Sequence, residues 1–312
     1  MYWYYKFILV IVLLVLVGLG LYSFRAEIAG LFPKDPEPIP VKVVQPVTPT
    51  PPVIVKVDPV VEPIKLDEEE WAETLAKATE LSEKGLLDKS NLLALTVLED
   101  PALDQFSPTW YDAADLIGKN NTILATTSAP SKRKTTHIVK AGDSLAKIAK
   151  GKTTVRNLQR SNNIPLDIAT IYPNQVLHYL AGPWEIQAYK SEFILLLLLE
   201  GKFFKYYKVG IGKANRTPEA EFVIQTKEMN PTWQKPGAEL IPYGHPDNPL
   251  GTRWMRIVSE KHPEHQGFGI HGTSEPKSIG TASSQGCLRL RNEEVEELFD
   301  IIPYRVKVTI RE

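Results

Sequence analysis

The residue best suited to nucleophilic chemistry is a lone cysteine near the carboxyl terminus. Cys287 is the single cysteine among 312 residues, so neither an intramolecular disulfide nor a cysteine-cluster metal site can form. A thiol with an ordinary pKa of ~8.5 is only slightly ionised at neutral pH and needs a base or a positive charge nearby. Gly286 permits a sharp turn before it, and Arg289 adds positive charge. Residue type alone fits an inert buried cysteine equally well.

A histidine 16 positions upstream is the candidate base. His271 lies in a run with glycines at 267, 269 and 272. Glycines let two backbones approach closely and leave a neighbouring side chain accessible at a strand end. A nucleophile, a base and a group that orients the base through its other ring nitrogen together perform acyl transfer. The sequence therefore predicts that Cys287 and His271 act as a pair.

The segments around both residues resemble the L,D-transpeptidase catalytic domain of the YkuD-like family. The resemblance covers about residues 184–311 and includes HGT-x8-ASSQGCLRLRN, with further matches at 209–233 and 248–255. It implies that Cys287 is the nucleophile, that His271 is the base and that the Gly272 carbonyl orients the imidazole. The residues implied to support the substrate pocket are Ser284, Gly286, Arg289 and Thr273. Gln285 stands where many members carry histidine.

The resemblance also implies a substrate and a mechanism. The Cys287 thiolate attacks a tetrapeptide stem of peptidoglycan, releases D-Ala and forms a thioester, which a second stem's amine converts to a 3→3 cross-link. The motif leaves open an L,D-carboxypeptidase or an enzyme that attaches proteins to the wall. The sequence is also compatible with a non-enzymatic wall-binding scaffold or an unrelated Cys-His peptidase. No cofactor or metal is expected, and His245, His262 and His265 are interpreted as exposed or lid residues.

The pattern of residues 136–181 predicts a small βααβ unit. A strand at 136–140 precedes a helix that Asp143 can cap, a second helix follows, and a turn leads into the strand at 176–180. The stretches HIVKAGDSLAKIA and IYPNQVL resemble a LysM module, which implies binding of N-acetylglucosamine-containing glycan strands. A structural repeat without affinity is the alternative. His137 and His178 are interpreted as structural strand residues.

The remaining carboxyl-terminal sequence, residues 183–312, is rich in β-strand patterns. Two apolar runs flank Glu200-Gly201-Lys202, which predicts a hairpin, and the run at 193–199 is too short to cross a bilayer. The expected fold class is multidomain α+β, with a mainly-β catalytic domain that resembles a sandwich or barrel.

The amino terminus suggests a membrane anchor. The uncharged residues 7–24 follow an aromatic cluster and would form ~27 Å of helix, close to the ~30 Å hydrocarbon core. Residues 1–24 are therefore interpreted as an uncleaved signal anchor in the inner membrane, and a cleaved signal peptide is the alternative. The catalytic domain is expected on the extracytoplasmic side. The proline-rich segment 25–66 is expected to act either as a stiff spacer or as a flexible tether.

A helical module is predicted at 67–124, followed by a linker at 125–135. Trp71, Leu75 and Ala78 recur at helical spacing, and Ser107-Pro108 is a helix-start signal. Asp88 or Ser90 is expected to cap a second helix. The module contains no catalytic pattern and is interpreted as a packing unit or a binding site for a protein partner. The net charge of −1 argues against nucleic-acid binding.

Overall fold

The computed structural model describes residues 66–234 and 239–312. The predicted anchor at 7–24 and almost all of the spacer lie outside this range. Within the described range, no helix is both long enough and apolar enough to cross a membrane. The longest helix there has 19 residues but carries Asp112, Asp115 and Lys119. Within the described residues, this finding contradicts the predicted single-pass membrane localisation.

Three helices open the described chain: α1 (Glu68–Glu83), α2 (Leu87–Leu98) and α3 (Pro108–Thr126). The Asp67 side chain accepts a hydrogen bond from the Glu70 N–H and caps α1, as the acidic first turn favours. Ser107 caps α3 in the same way, ahead of Pro108. The expected cap of α2 is wrong, because the helix already begins at Leu87 and both Asp88 and Ser90 lie inside it.

The LysM-like unit has the predicted βααβ order. It consists of β1 (Thr135–Ile138), α4 (Leu145–Ala149), α5 (Val155–Arg160) and β2 (Val176–Tyr179), with β1 and β2 antiparallel. Ser144, not Asp143, caps α4. The Asp143 carboxylate instead contacts His137 Nε2 at 2.8 Å and accepts from the Lys140 N–H at 2.9 Å. It therefore fixes the turn between β1 and α4.

An eight-stranded mixed sheet forms the predicted catalytic domain, in the order β13-β11-β10-β7-β14-β3-β4-β5. Its apolar inner face packs against α6 (Asn292–Ile301). The strands of the domain, including the short ones outside this sheet, are β3 (Trp184–Tyr189), β4 (Ile194–Leu199), β5 (Lys202–Lys208), β6 (Ile211–Gly212), β7 (Glu221–Met229), β8 (Trp233–Gln234), β9 (Leu240–Ile241), β10 (Arg253–Val258), β11 (Gly269–His271), β12 (Ala282–Ser284), β13 (Leu288–Arg289) and β14 (Lys307–Arg311).

The predicted hairpin is confirmed as β4 and β5. Glu200 and Gly201 form its turn, both with positive φ (56° and 75°), as a tight two-residue hairpin requires. All six residues of β4 are buried. Leu195, Leu197 and Leu199 point into the domain core, whereas the alternate positions lie beneath the helices. The strand therefore reads as continuously apolar because both of its faces are covered.

The helical module covers the face of β4 that points away from the domain core. Trp110 of α3 packs edge-on against Phe203 with ring centroids 5.6 Å apart, and Asn121 Nδ2 donates to the Phe204 carbonyl at 2.8 Å. The buried Asn120 amide in turn donates to Ser90 and Asn91 of α2. The apolar side of the helical module is thus used within the chain, and the structure supplies no support for a separate protein partner.

The LysM-like unit is held against the same domain. Asp300 at the end of α6 is buried. Its carboxylate oxygens form salt bridges with Arg156 Nε and Arg160 Nη2, each at 3.0 Å. The Trp184 indole N–H donates to the Lys152 carbonyl at 2.9 Å. Paired, hydrogen-bonded charges of this kind favour one docked arrangement. The unit therefore keeps a defined position relative to the catalytic sheet.

Candidate active site

Adjacent strands bring the predicted nucleophile and base to one face of the sheet. β11 and β13 are parallel, with Ile270 opposite Leu288 and His271 opposite Arg289. Side chains alternate along a strand, so Cys287, directly before β13, shares the face of His271 and Arg289. Trp254 of β10 is paired with His271 and joins this face. Ile270 and Leu288 point the other way, into the core.

A polar turn holds the cysteine in place. The Ser284 hydroxyl donates to the Cys287 carbonyl at 2.8 Å and accepts from the Gly286 N–H at 3.0 Å. The Thr217 hydroxyl donates to the Gly286 carbonyl at 2.9 Å and accepts from the Gly212 N–H at 2.8 Å. The Gly286 N–H is therefore already used by Ser284 and is not free for a substrate carbonyl.

Position 286 requires glycine for two reasons: its backbone φ angle and the lack of room for a side chain. Its φ is 137°, and an added Cβ would lie 2.5 Å from Phe268 Cε1 and 2.9 Å from the Arg216 carbonyl oxygen. We expect Gly286→Ala to destabilise the fold by ~1–3 kcal/mol and to slow covalent modification of Cys287. Urea unfolding and the rate of adduct formation measure the two effects. The matched control is Gly280→Ala, because Gly280 also has positive φ (79°) but open space around it. Equal losses in both variants would contradict this explanation.

The His271 imidazole is buried and oriented by the backbone. Its Nδ1 lies 2.6 Å from the Gly272 carbonyl oxygen, which fits an Nδ1–H donor and leaves the Nε2 lone pair free to act as a base. Burial lowers its pKa to about 4, helped by the positive charge of Arg289 and opposed by the carbonyls of Gly272 and Leu250. The Trp254 ring lies beside it at 5.7 Å between centroids. The ring is therefore neutral at physiological pH.

Asn292, the first residue of α6, organises the chain beyond His271. Its side-chain oxygen accepts from the backbone N–H groups of Thr252 at 3.2 Å and Thr273 at 3.1 Å. A Cβ on Gly272 would lie 2.2 Å from this oxygen, so a larger residue would displace the Asn292 side chain from both hydrogen bonds. Thr273 is buried, and its hydroxyl accepts from the Glu275 N–H at 3.0 Å. Thr273 thus supports the backbone behind the imidazole.

The Cys287 thiol is partly buried and protonated. Its Sγ contacts the Gly267 carbonyl oxygen at 3.7 Å. Burial raises its pKa to about 11, against the opposing effects of the Gly269 backbone N–H and Arg289. Among the described residues, no hydrogen bond joins Sγ to the imidazole. The resting site therefore holds a neutral thiol near a neutral imidazole instead of an ion pair.

The pH dependence of Cys287 alkylation tests this protonation state. Because the pKa is raised, the thiolate fraction at pH 7 falls below that of a free thiol, by roughly a hundredfold. The iodoacetamide rate should therefore rise steadily above pH 8, with glutathione as the reference thiol. As the chain has one cysteine, the adduct mass reports on this residue alone. A rate plateau between pH 5 and 8 would instead indicate a preformed thiolate–imidazolium pair.

These residues open into one cleft of about 870 Å³. Arg289 supplies its positive charge: the guanidinium lies 3.9 Å from Glu275, and its buried Nε has no hydrogen-bond partner in the described chain. Gln285 lies at the rim and accepts from Arg216. Further lining residues are Glu228, Thr232, Trp233, Gln234, Pro249, Leu250 and Trp254. The cleft can hold an extended peptide with a carboxylate near Arg289.

Three positioning residues could not be identified from the sequence. Thr217 gives no signal, because it lies 69 residues from the Gly286 carbonyl that it binds. Asn292 ends the HGT-x8-ASSQGCLRLRN motif, yet its role depends on where α6 begins. From the sequence, Trp254 fits a core position as well as a position in the cleft. Its pairing with His271 places it on the cleft side of the sheet. The exposed His245 pairs with Asp247 at 3.8 Å and, like His262 and His265, is not among the lining residues.

Comparison with known proteins agrees with this geometry. Residues 183–310 match the L,D-transpeptidase catalytic domain, YkuD, and residues 137–178 match the LysM domain. The putative L,D-transpeptidase YkuD of Bacillus subtilis is 32% identical over 182 residues, which cover 56% of this chain and 98% of that protein. The chain belongs to the YkuD family of L,D-transpeptidases. The sequence prediction of a peptidoglycan L,D-transpeptidase is thereby confirmed.

Other relatives overlap less completely. The putative L,D-transpeptidase YqjB of Bacillus subtilis is 40% identical over 117 residues, and the match spans 37% of this chain and 64% of that protein. A solved L,D-transpeptidase from Mycobacterium smegmatis is 16% identical in sequence. The match covers 45% of this chain and 64% of that protein, with a TM-score of 0.35. The family assignment depends on the sequence matches and not on this superposition.

Proposed function

We propose that this L,D-transpeptidase works through a covalent thioester on Cys287. The Cys287 sulfur attacks the carbonyl between the third residue and the terminal D-Ala of a tetrapeptide stem. The thiol proton passes to His271 Nε2 as the C–S bond forms, and His271 then gives it to the departing D-Ala amine. Free D-Ala leaves, and the acyl group remains on sulfur. The shared sheet face of Cys287 and His271 is the observation that carries this proposal.

The neutral resting pair suits this order of events. A neutral imidazole can accept a proton, and its Nδ1–H bond to the Gly272 carbonyl holds the accepting nitrogen in place. The Arg289 guanidinium places positive charge in the cleft, where negative charge develops on the attacked carbonyl oxygen. Ser284 and Gly286 support the reaction indirectly, because their hydrogen bonds define the turn that carries the sulfur.

The acceptor in the second step is proposed to be the side-chain amine of another stem. That amine attacks the thioester, loses a proton and forms a 3→3 cross-link, which regenerates the thiol. Water in the same position would give a carboxypeptidase product. The LysM-like residues 136–181, docked through Asp300, are proposed to hold the glycan strand while residues 183–312 act on its stems.

Muropeptide analysis of the purified full-length chain distinguishes these outcomes. With disaccharide-tetrapeptide as the substrate, we expect a dimer whose mass equals two monomers minus one D-Ala, with an equal amount of free D-Ala. Tandem mass spectrometry of the dimer should locate the bond between the two third residues. Accumulation of tripeptide without dimer would favour the carboxypeptidase. Cleavage of ordinary L-peptides without either product would contradict the proposed function.

A further inference from the structure

Two histidines and a glutamate meet in the loop between β10 and β11, outside the catalytic cleft. His262, Glu264 and His265 each offer one ligand atom, and these atoms all lie within 4.8 Å of one another. The backbone closes a tight turn here, with the His265 N–H donating to the His262 carbonyl at 3.0 Å. From the sequence, His262 and His265 are interpreted as exposed or lid residues, and the turn brings their rings together with Glu264.

The cluster has the chemistry of a transition-metal site. Two imidazoles with one carboxylate are a ligand set that binds Zn²⁺ or Fe²⁺, with water completing the coordination. His262 Nδ1 is already 3.2 Å from Glu264 Oε1. Ligand atoms around a tetrahedral zinc ion stand ~3.3 Å apart at metal–ligand distances of ~2.0–2.1 Å. The exposed side chains of His262 and Glu264 can close the remaining gap by rotation.

His265 supplies an independent observation. Its Nδ1 is buried and has no hydrogen-bond partner in the described part of the chain, a rare condition for a polar atom. The ring is stacked on His262 at 5.2 Å between centroids and also contacts Phe222 and Phe268 at 6.1 and 6.2 Å. These contacts fix the imidazole before any ligand arrives. An imidazole held in this way beside His262, with a nitrogen that no other described group uses, suits a metal ligand.

We propose that His262, Glu264 and His265 form a binding site for a divalent transition-metal ion. The site lies directly before Gly267, whose carbonyl contacts the Cys287 thiol, and His265 touches Phe268, which packs against Gly286. An ion here ties together the loop that leads into β11. The site is separate from the proposed covalent chemistry, which uses no metal.

Zinc titration of the full-length Cys287→Ala protein tests the proposal, because this variant removes the thiol as a competing ligand. Isothermal titration calorimetry should give one Zn²⁺ per chain, and saturating Zn²⁺ should raise the melting temperature. His265→Ala and Glu264→Ala should each weaken binding by more than about tenfold, since even removal of an outer-shell partner costs ~10–100-fold. Glu264 is exposed, whereas His265 packs against Phe222 and Phe268, so circular dichroism checks that each variant folds.

His245→Ala is the matched control, because His245 is also an exposed loop histidine beside an acidic residue. Its zinc affinity and melting shift should equal those of the Cys287→Ala parent. The proposal is overturned if no saturable binding occurs at micromolar Zn²⁺ or if His265→Ala and Glu264→Ala bind as tightly as the parent. Equal loss in His245→Ala would also overturn it, because the ion would then bind elsewhere.

Discussion

Replacing Cys287 with alanine is expected to abolish cross-link formation and covalent capture of a carbapenem. Cys287 is the single cysteine of the chain, so no other residue can form a thioester. Loss of a catalytic nucleophile lowers the rate by roughly 10⁴-fold or more, to what the remaining binding and electrostatic groups sustain. Intact-protein mass spectrometry measures the adduct, and muropeptide chromatography measures the product.

The same variant should remain folded and should still bind its substrate. Cys287 is partly buried, and truncation to alanine leaves the Ser284–Gly286–Thr217 hydrogen bonds in place, because they involve the backbone of this turn. We therefore expect an unchanged melting temperature within a few degrees and unchanged pull-down by insoluble peptidoglycan. A carbapenem adduct that forms equally well on the alanine variant would show that another residue is acylated.

Replacing His271 with glutamine is expected to lower the rate of transpeptidation by roughly 10²–10⁴-fold. Glutamine retains polar atoms near the Gly272 carbonyl but cannot accept and return a proton. Because the pKa of His271 is lowered to about 4, the wild-type rate should hold from neutral pH to about pH 5 and fall only as pH 4 is approached. The pH–rate profile of the glutamine variant should lack that acidic limb.

Stability measurements check that this effect comes from the imidazole. The histidine binds a proton below pH ~6.5 in the unfolded chain but only below about 4 in the folded one. Wild-type stability is therefore complete above pH 6.5 and declines as the pH falls from 6.5 to 4. His271→Gln should lose less stability over that interval. His245→Gln is the control for both measurements. If its transpeptidation rate fell as much as that of His271→Gln, the assignment of His271 as the base would be contradicted.

Local chemistry explains why much of the catalytic motif could be predicted. Gly286, directly before Cys287, has a positive φ, a conformation that favours glycine locally, whereas the need for glycine at 272 comes from the distant Asn292 side chain. The β4–β5 hairpin was equally predictable, since its turn residues and its two apolar runs are adjacent in sequence. Helix starts were predicted less accurately: Ser144 caps α4, one residue after the expected Asp143.

Contacts between distant segments could not be predicted in this way. Thr217 and Asn292 act on Gly286 and Thr273 only because the fold brings their elements together. The alternation of β4 between two covered faces likewise depends on where Trp110 and its helix pack. The protonation states of Cys287 and His271 follow from burial, which sequence spacing does not reveal. These are the features that turn a recognised motif into a site with defined reactivity.

Trapping the acyl-enzyme is the sharpest test of thioester formation on Cys287. The full-length chain would be mixed with a disaccharide-tetrapeptide donor without an acceptor, quenched in acid and analysed by intact mass and peptide mapping. We expect a mass increase equal to the donor minus D-Ala, located on the peptide that contains Cys287 and released by hydroxylamine. An acyl group mapped to any other residue, or D-Ala release with no covalent species at any time point, would rule out this mechanism.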